Sequence, residues 1–90
     1  MTETRIAKDA LLADFQGEDS ILLDVDARRY HRLNETAAFI WKALESNQSD
    51  SEIVEALLGA FDVSREQARR SLDAFLAELA ARGLVRAATA

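Results

Sequence analysis

The apolar residues of this chain change their period once, at Asn34, and that change limits the folds open to it. Before Asn34 they come in short runs: Ala10-Leu11-Leu12-Ala13, Ile21-Leu22-Leu23 with Val25 after Asp24, and Tyr30 to Leu33. The turn-forming groups Gln16-Gly17-Glu18-Asp19 and Asp26-Ala27-Arg28 separate them. Short apolar runs bounded by turn formers read as strands, because Gly, Asp and Asn accommodate the backbone reversals between them. The spacing predicts three antiparallel strands near 9–15, 20–25 and 29–33. Ile21, Leu23 and Val25 alternate, which predicts that they form the core face of the middle strand.

From Asn34 onward the period is helical. Ala37, Ile40, Trp41 and Leu44 share a face, and Asn34 precedes them as an N-cap able to accept an orphan backbone N–H. Ser49-Asp50-Ser51-Glu52 has capping-box spacing and opens a second helix carrying Ile53, Leu57, Ala60 and Phe61. Ser64 to Gln67 repeats the device before a third helix bearing Ala68, Leu72, Phe75, Leu76 and Leu79. Gly83 is placed to stop that helix in a left-handed turn, after which Leu84 and Val85 return to the core. Trp41 reads as core. Phe39 lies off that face, and either filling the helix–sheet gap or making an exposed contact fits it. Strands first and helices second predict an α+β domain of two layers, the helices covering one face of the sheet. It spans residues 9–86, with a flexible N-terminus at 1–8 and a loose end at 87–90.

Composition narrows the chemistry. The 90 residues contain no cysteine and one histidine, which excludes disulfides, thiolate metal sites, a cysteine nucleophile and a multi-histidine centre. A net charge of −5 disfavours broad binding to a phosphate backbone. Met1–Asp14 holds no apolar stretch long enough for a signal peptide, so the expectation is a cytoplasmic protein without membrane attachment. His31 is the one candidate base, but Arg29, Tyr30 and Arg32 offer no orienting carboxylate, so it reads as an ordinary strand residue. Asp24 and Asp26 read as a solvated turn rather than a metal pair. Gly17, Gly59 and Gly83 are too scattered for a phosphate loop. The expectation is a protein with no catalytic residues, no cofactor and no metal.

The arginines gather in two places: Arg28, Arg29 and Arg32 around the third strand, and Arg65, Arg69 and Arg70 early in the third helix. One reading is an edge strand defended by charge beside a solvated helix face. The other is a local basic strip offered to an acidic partner. If the third strand is a sheet edge beside the third helix, an extended peptide could add there as another strand, its apolar side chains entering a groove beside Leu72 and Leu76.

The string Leu23-Asp24, Tyr30-His31-Arg32-Leu33-Asn34 and Ala37-Ala38-Phe39-Ile40-Trp41 resembles the PqqD-like family. So do Glu52-Ile53, Leu57, Phe61-Asp62-Val63, Phe75-Leu76, Leu79 and Gly83-Leu84-Val85, so the resemblance covers about residues 10–85. It implies a winged-helix-like fold and a peptide chaperone that recognises ribosomally made, post-translationally modified peptides. Such a protein binds the leader of a precursor as a strand added to the third strand, in a groove made with the third helix. It then presents the precursor to a modifying enzyme, either a radical SAM protein in pyrroloquinoline quinone biosynthesis or a leader peptidase and cyclase in lasso-peptide biosynthesis. The role carries to Arg29, Tyr30, His31 and Arg32 on the strand, and to Arg69, Leu72, Asp73 and Leu76 on the helix. Leu33 and Asn34 match the motif as core and cap. The middle strand lacks the tryptophan expected of PqqD itself, which favours the stand-alone proteins of lasso-peptide systems.

Two rival readings stand beside it. A winged-helix DNA-binding regulator would use Arg65, Arg69 and Arg70, against the overall charge and the acids Glu66, Asp73 and Glu78 on the same helix. A structural subunit would pair weakly with a second copy through the edge of the third strand.

Overall fold

The computed structural model describes residues 6–7, 10–13 and 20–85. Three strands, β1 (Ala10–Ala13), β2 (Ser20–Asp24) and β3 (Arg29–Leu33), precede three helices, α1 (Glu35–Glu45), α2 (Asp50–Ala60) and α3 (Arg65–Ala81). The sheet is antiparallel in the order β1-β2-β3. The architecture is thus the expected α+β one, three-stranded sheet first and helices second.

The capping residues act as their chemistry requires. Asn34 Oδ1 accepts the Ala37 N–H at 2.8 Å. Ser49 and Glu52 close a reciprocal capping box at 2.8 and 3.2 Å. Ser64 Oγ accepts the Gln67 N–H at 3.1 Å. At the other end of α3, Gly83 has φ 72°, and the Gly83 and Leu84 N–H groups donate to the Ala80 and Leu79 carbonyls. That is a Schellman closure, and it drives Leu84 into the core. Asn47, at φ 57°, closes α1 in the same way, with Gln48 donating to the Ala43 carbonyl. The β2–β3 turn uses a third left-handed residue, Arg28, and buried Asp24 accepts the Ala27 N–H across it. Asp24 is therefore a turn anchor beneath the sheet, and only Asp26 is a solvated turn residue.

The core lies between the inner sheet face and the helices. Leu22, Ile40, Trp41, Leu44, Ile53, Leu57, Leu72 and Leu79 are all essentially inaccessible. Phe39 sits half-buried against Phe61 in an edge-to-face pair with ring centroids 5.3 Å apart, so it packs α1 against the end of α2.

Two expectations are corrected. The core face of β2 is Ser20, Leu22 and Asp24, while Leu23 and Val25 face outward. In a run of consecutive aliphatic residues both parities are apolar, and Leu22 wins because it lies opposite His31, on the side where Leu33 is buried. On α2, Ala60 is exposed and Val54 takes the core position. Within the stretch expected to be flexible, Ile6 bridges Val85, and the Ala7 N–H donates to the Leu84 carbonyl at 2.9 Å. The expected strand residues 9, 14 and 15 and the loose end 87–90 lie outside the described residues.

Leu72 lies at 0% exposure where α3 meets the core, so it serves packing and presents no surface to a ligand. Leu72→Ala is expected to lower unfolding stability by about 3 kcal/mol, through lost burial and the cavity left behind. Urea titration followed by far-UV circular dichroism measures this, and a loss below about 1 kcal/mol would contradict the packing described.

Candidate functional site: the cleft between β3 and α3

β3 is the end strand of the sheet, so one of its edges has no strand partner among the described residues. Alternate N–H and C=O groups along such an edge point away from the sheet, spaced to accept a further strand. The alternation of β3 sends Tyr30 and Arg32 to the outer face, and Arg29, His31 and Leu33 to the helix side.

Beside β3 runs a cleft of about 140 Å³. Its floor is apolar: Leu33 from β3, Ala37 from α1, and Phe75 and Leu79 from α3. His31, Arg32, Glu78 and Arg82 form its polar rim. A second cleft, of about 280 Å³, continues it along α1 and α3, sharing Asn34, Ala37, Phe75 and Glu78. The trough therefore follows the strand edge and then passes over the start of α1.

A polar bridge spans the first cleft. The Arg82 guanidinium lies 2.9 Å from His31 Nδ1 and 3.3 Å from Glu78 Oε1. Arginine only donates, so Nδ1 must accept and the imidazole proton resides on Nε2. That Nε2–H is buried and has no partner. Burial, and then the Arg82 charge, push the His31 pKa below its ordinary value of 6.5; Arg29 adds to this, while Asp24 and Glu78 oppose it. His31 thus differs from the ordinary strand residue read from the sequence. It is an imidazole at the wall of a cleft, with a lowered pKa and a buried Nε2 that has no partner.

The strand and helix residues singled out in the sequence do not all converge. Arg29, Tyr30, His31 and Arg32 lie along the free strand as expected. Arg69, Asp73 and Leu76 lie on a different flank of α3 from the cleft. At about 100° per residue, Arg69 and Leu76 are roughly 100–120° around the helix from Phe75, and Asp73 is farther still. Arg69 instead pairs with Asp50 on α2 at 3.7 Å and with Asp73 at 3.3 Å. Leu72 is in the core. The structure therefore does not bring these four to the cleft beside β3. The helix residues that do face it, Phe75, Glu78, Leu79 and Arg82, went unselected. The signal for them was present: one turn of helix after Phe75 falls on Glu78 and Leu79, and the next on Arg82.

The same pairing bears on the basic strip. Arg65 is bonded to Glu55, and Arg69 lies between two carboxylates, so much of the positive charge early in α3 is matched by acids within the fold. Among the described residues no group of three or more His, Asp or Glu side chains could hold a metal ion, and no helix is long and apolar enough to cross a membrane.

The lowered His31 pKa has a sign that can be checked. The unfolded chain takes up the proton first as the pH falls, so stability drops as the pH passes down through about 6.5 and levels off below the folded-state pKa. His31→Asn is expected to flatten this component. Urea unfolding of both proteins from about pH 8 to about pH 5 isolates it by difference, because the carboxylates are common to both. Parallel curves would show that His31 is not held neutral.

Comparisons with known proteins show where the fold recurs. The chain is similar to the solved structure "TbiB1 in Complex with the TbiA(beta) Leader Peptide", with a TM-score of 0.82 and 27% identity over 96% of this chain and 99% of that one. It is also similar to "Lasso peptide synthetase B1 complexed with the leader peptide", with a TM-score of 0.78 and 26% identity over 92% of this chain and 96% of that one. No curated protein sequence matches it. The family model described as coenzyme PQQ synthesis protein D matches residues 19–85, and the chain belongs to that family, PqqD.

Proposed function

We propose that this protein binds the leader segment of a precursor peptide without catalysing a reaction on it, and presents that precursor to a modifying enzyme in lasso-peptide-type biosynthesis. The observation that carries the reading is an unpaired strand edge lying beside an apolar-floored cleft. Two chains of similar structure, each solved with a leader peptide, support it.

The leader adds to β3 as a fourth antiparallel or parallel strand. Its backbone groups supply hydrogen bonds that do not depend on sequence, and one or two apolar side chains entering the cleft supply selectivity. Leu33, Ala37, Phe75 and Leu79 receive those side chains. The His31 Nε2–H then meets an acceptor on the leader, which relieves the cost of a buried donor without a partner, about 1–3 kcal/mol. Arg29, Tyr30 and Arg32 flank the added strand, with Glu78 and Arg82 at the far wall. The modifying enzyme is a leader peptidase with its cyclase in this reading, or a radical SAM protein if the pathway is the quinone one.

Two substitutions distinguish this cleft from the flank suggested by the sequence. Ala37→Phe, which fills the cleft, is expected to weaken leader binding at least tenfold with the fold intact by circular dichroism. Arg69→Glu is expected to leave the affinity within about twofold. The measurement is fluorescence anisotropy with a labelled synthetic leader of a lasso-peptide precursor, together with an NMR titration. New cross-strand contacts from residues 29–33 are the expected mark of strand addition. The opposite ranking of the two variants would move the site to the α2 flank, and an absence of binding with shifts on duplex DNA would favour the regulator reading.

A further inference from the structure

Unmatched positive charge gathers along the strand edge that borders the cleft. Arg28 in the β2–β3 turn and Arg29 and Arg32 on β3 are exposed, and among the described residues no carboxylate forms an ion pair with any of them. Arg65, Arg69 and Arg82, by contrast, each hold one. Asp24 faces Arg29 in the sheet register, but it is buried and accepts the Ala27 N–H. Between residues 26 and 33, three arginines therefore stand against the one exposed carboxylate of Asp26, on a chain whose net charge is −5. A guard against stray pairing needs only charge. Charge of one sign, opposite to that of the whole molecule, also discriminates among the strands that approach.

We propose that the leader is acidic where it pairs with β3, carrying two carboxylates three residues apart, one met by Arg32 on the outer face and the other by Arg29 on the helix side. The inference rests on the leader-binding reading above and adds to it the chemistry of the ligand. Residues opposite one another on neighbouring strands share a face, with Cβ atoms about 5 Å apart. The leader residue opposite Leu33 is thus directed to the helix side, over the apolar floor of the cleft. Its neighbour, opposite Arg32, points outward, and the residue opposite Arg29, three positions from that one, returns to the helix side. Read along an antiparallel leader, the order is apolar, acidic, two residues of other kinds, acidic. Along a parallel leader it is the reverse.

The geometry favours peptide carboxylates over the phosphates of a nucleic acid. Arg29 and Arg32 stand about 10 Å apart along the strand and on opposite faces of it, so they cannot both lie against one row of phosphates. Side chains that alternate across an extended peptide reach both. Arg28, just beyond Arg29, continues the positive field past the second acid. Because the chain as a whole is acidic, these arginines also steer a negatively charged segment to the strand edge, an effect that salt screens.

The test scans a synthetic leader of a lasso-peptide precursor position by position with Glu, Gln and Lys. Each peptide is titrated by fluorescence anisotropy, at low and at high ionic strength, against wild type, Arg29→Gln, Arg32→Gln and the double variant, whose folds are compared by circular dichroism. Expected is a preference for Glu over Lys at two positions three apart. Each single arginine replacement weakens binding by two- to fivefold, the range of an exposed cross-strand pair of opposite charge, and the double replacement by about tenfold. Arg32→Gln abolishes the preference at one of the two positions and Arg29→Gln at the other, and high salt shrinks every one of these differences. Equal binding of the Glu and Lys peptides at every position by wild type would overturn the acidic pattern and leave the leader reading standing. A preference for Glu that neither arginine replacement alters would overturn the assignment to Arg29 and Arg32. Unchanged leader affinity of the double variant, with self-association of that variant in sedimentation velocity, would leave the arginines as guards of the edge alone. Failure of wild type to bind any of the peptides would remove the functional reading and this inference with it.

Discussion

The sheet stops at β3, and the rest of the molecule can be understood as the consequence of stopping there. An antiparallel sheet of three short strands is too small to bury both of its faces, and the helices that follow cover only one. Among the described residues, an edge without a strand partner and an outer face without a cover follow from this. Most proteins blunt an edge like this with charge or a covering loop. Here arginines at positions 29 and 32 serve as such a guard, while Phe75 and Leu79 keep a greasy trough open beside the same edge. An edge that is charged in its side chains but open in its backbone resists indiscriminate pairing and still admits a strand that also fills the trough.

What holds the trough open is the end of α3. The Schellman closure at Gly83 turns the chain sharply so that Leu84 and Val85 enter the core, where Ile6 bridges Val85. Arg82, the last residue before that turn, is thereby fixed within reach of His31 on the strand. The two walls of the cleft are tied to one another through a single charged hydrogen bond and its Glu78 partner. An entering peptide must either fit beneath this bridge or displace Arg82 from it, and the neutral imidazole makes displacement cheaper than breaking a pair of opposite charges would be.

The fold was largely legible because its signals were redundant. Each helix start carried a side chain that can accept an orphan N–H, and the α3 end carried a glycine where only a left-handed residue suffices. The strands were legible in position but not in facing, since Ile21-Leu22-Leu23 is apolar at both parities and only the partner strand decides which face is buried. The site was half legible for a related reason. The strand half follows directly from order along the chain, because β3 ends the sheet. The helix half depends on the rotation of α3 about its axis, and that rotation is set by how Ala68, Leu72 and Leu79 meet α1 and α2. Arginine spacing drew attention to Arg69, whereas its real partners, Asp50 and Asp73, became visible only once α2 was packed alongside.

That same rotation separates the work of α3 into three strips. One strip, Ala68, Leu72 and Leu79, is core; a second, with Arg65 and Arg69, ties α3 to α2 through ion pairs; the third, with Phe75, Glu78 and Arg82, faces β3. Surface ion pairs contribute little to stability, each about 0–1 kcal/mol, so the second strip follows the packing of the first and does not set the rotation of the helix. Orientation is what the third strip needs: a turn of one residue, about 100°, would carry Phe75 out of the cleft and replace it with a solvated neighbour. Ala68 and Leu72 are thus part of the recognition site without lining it, because their packing fixes which residues the strand edge faces.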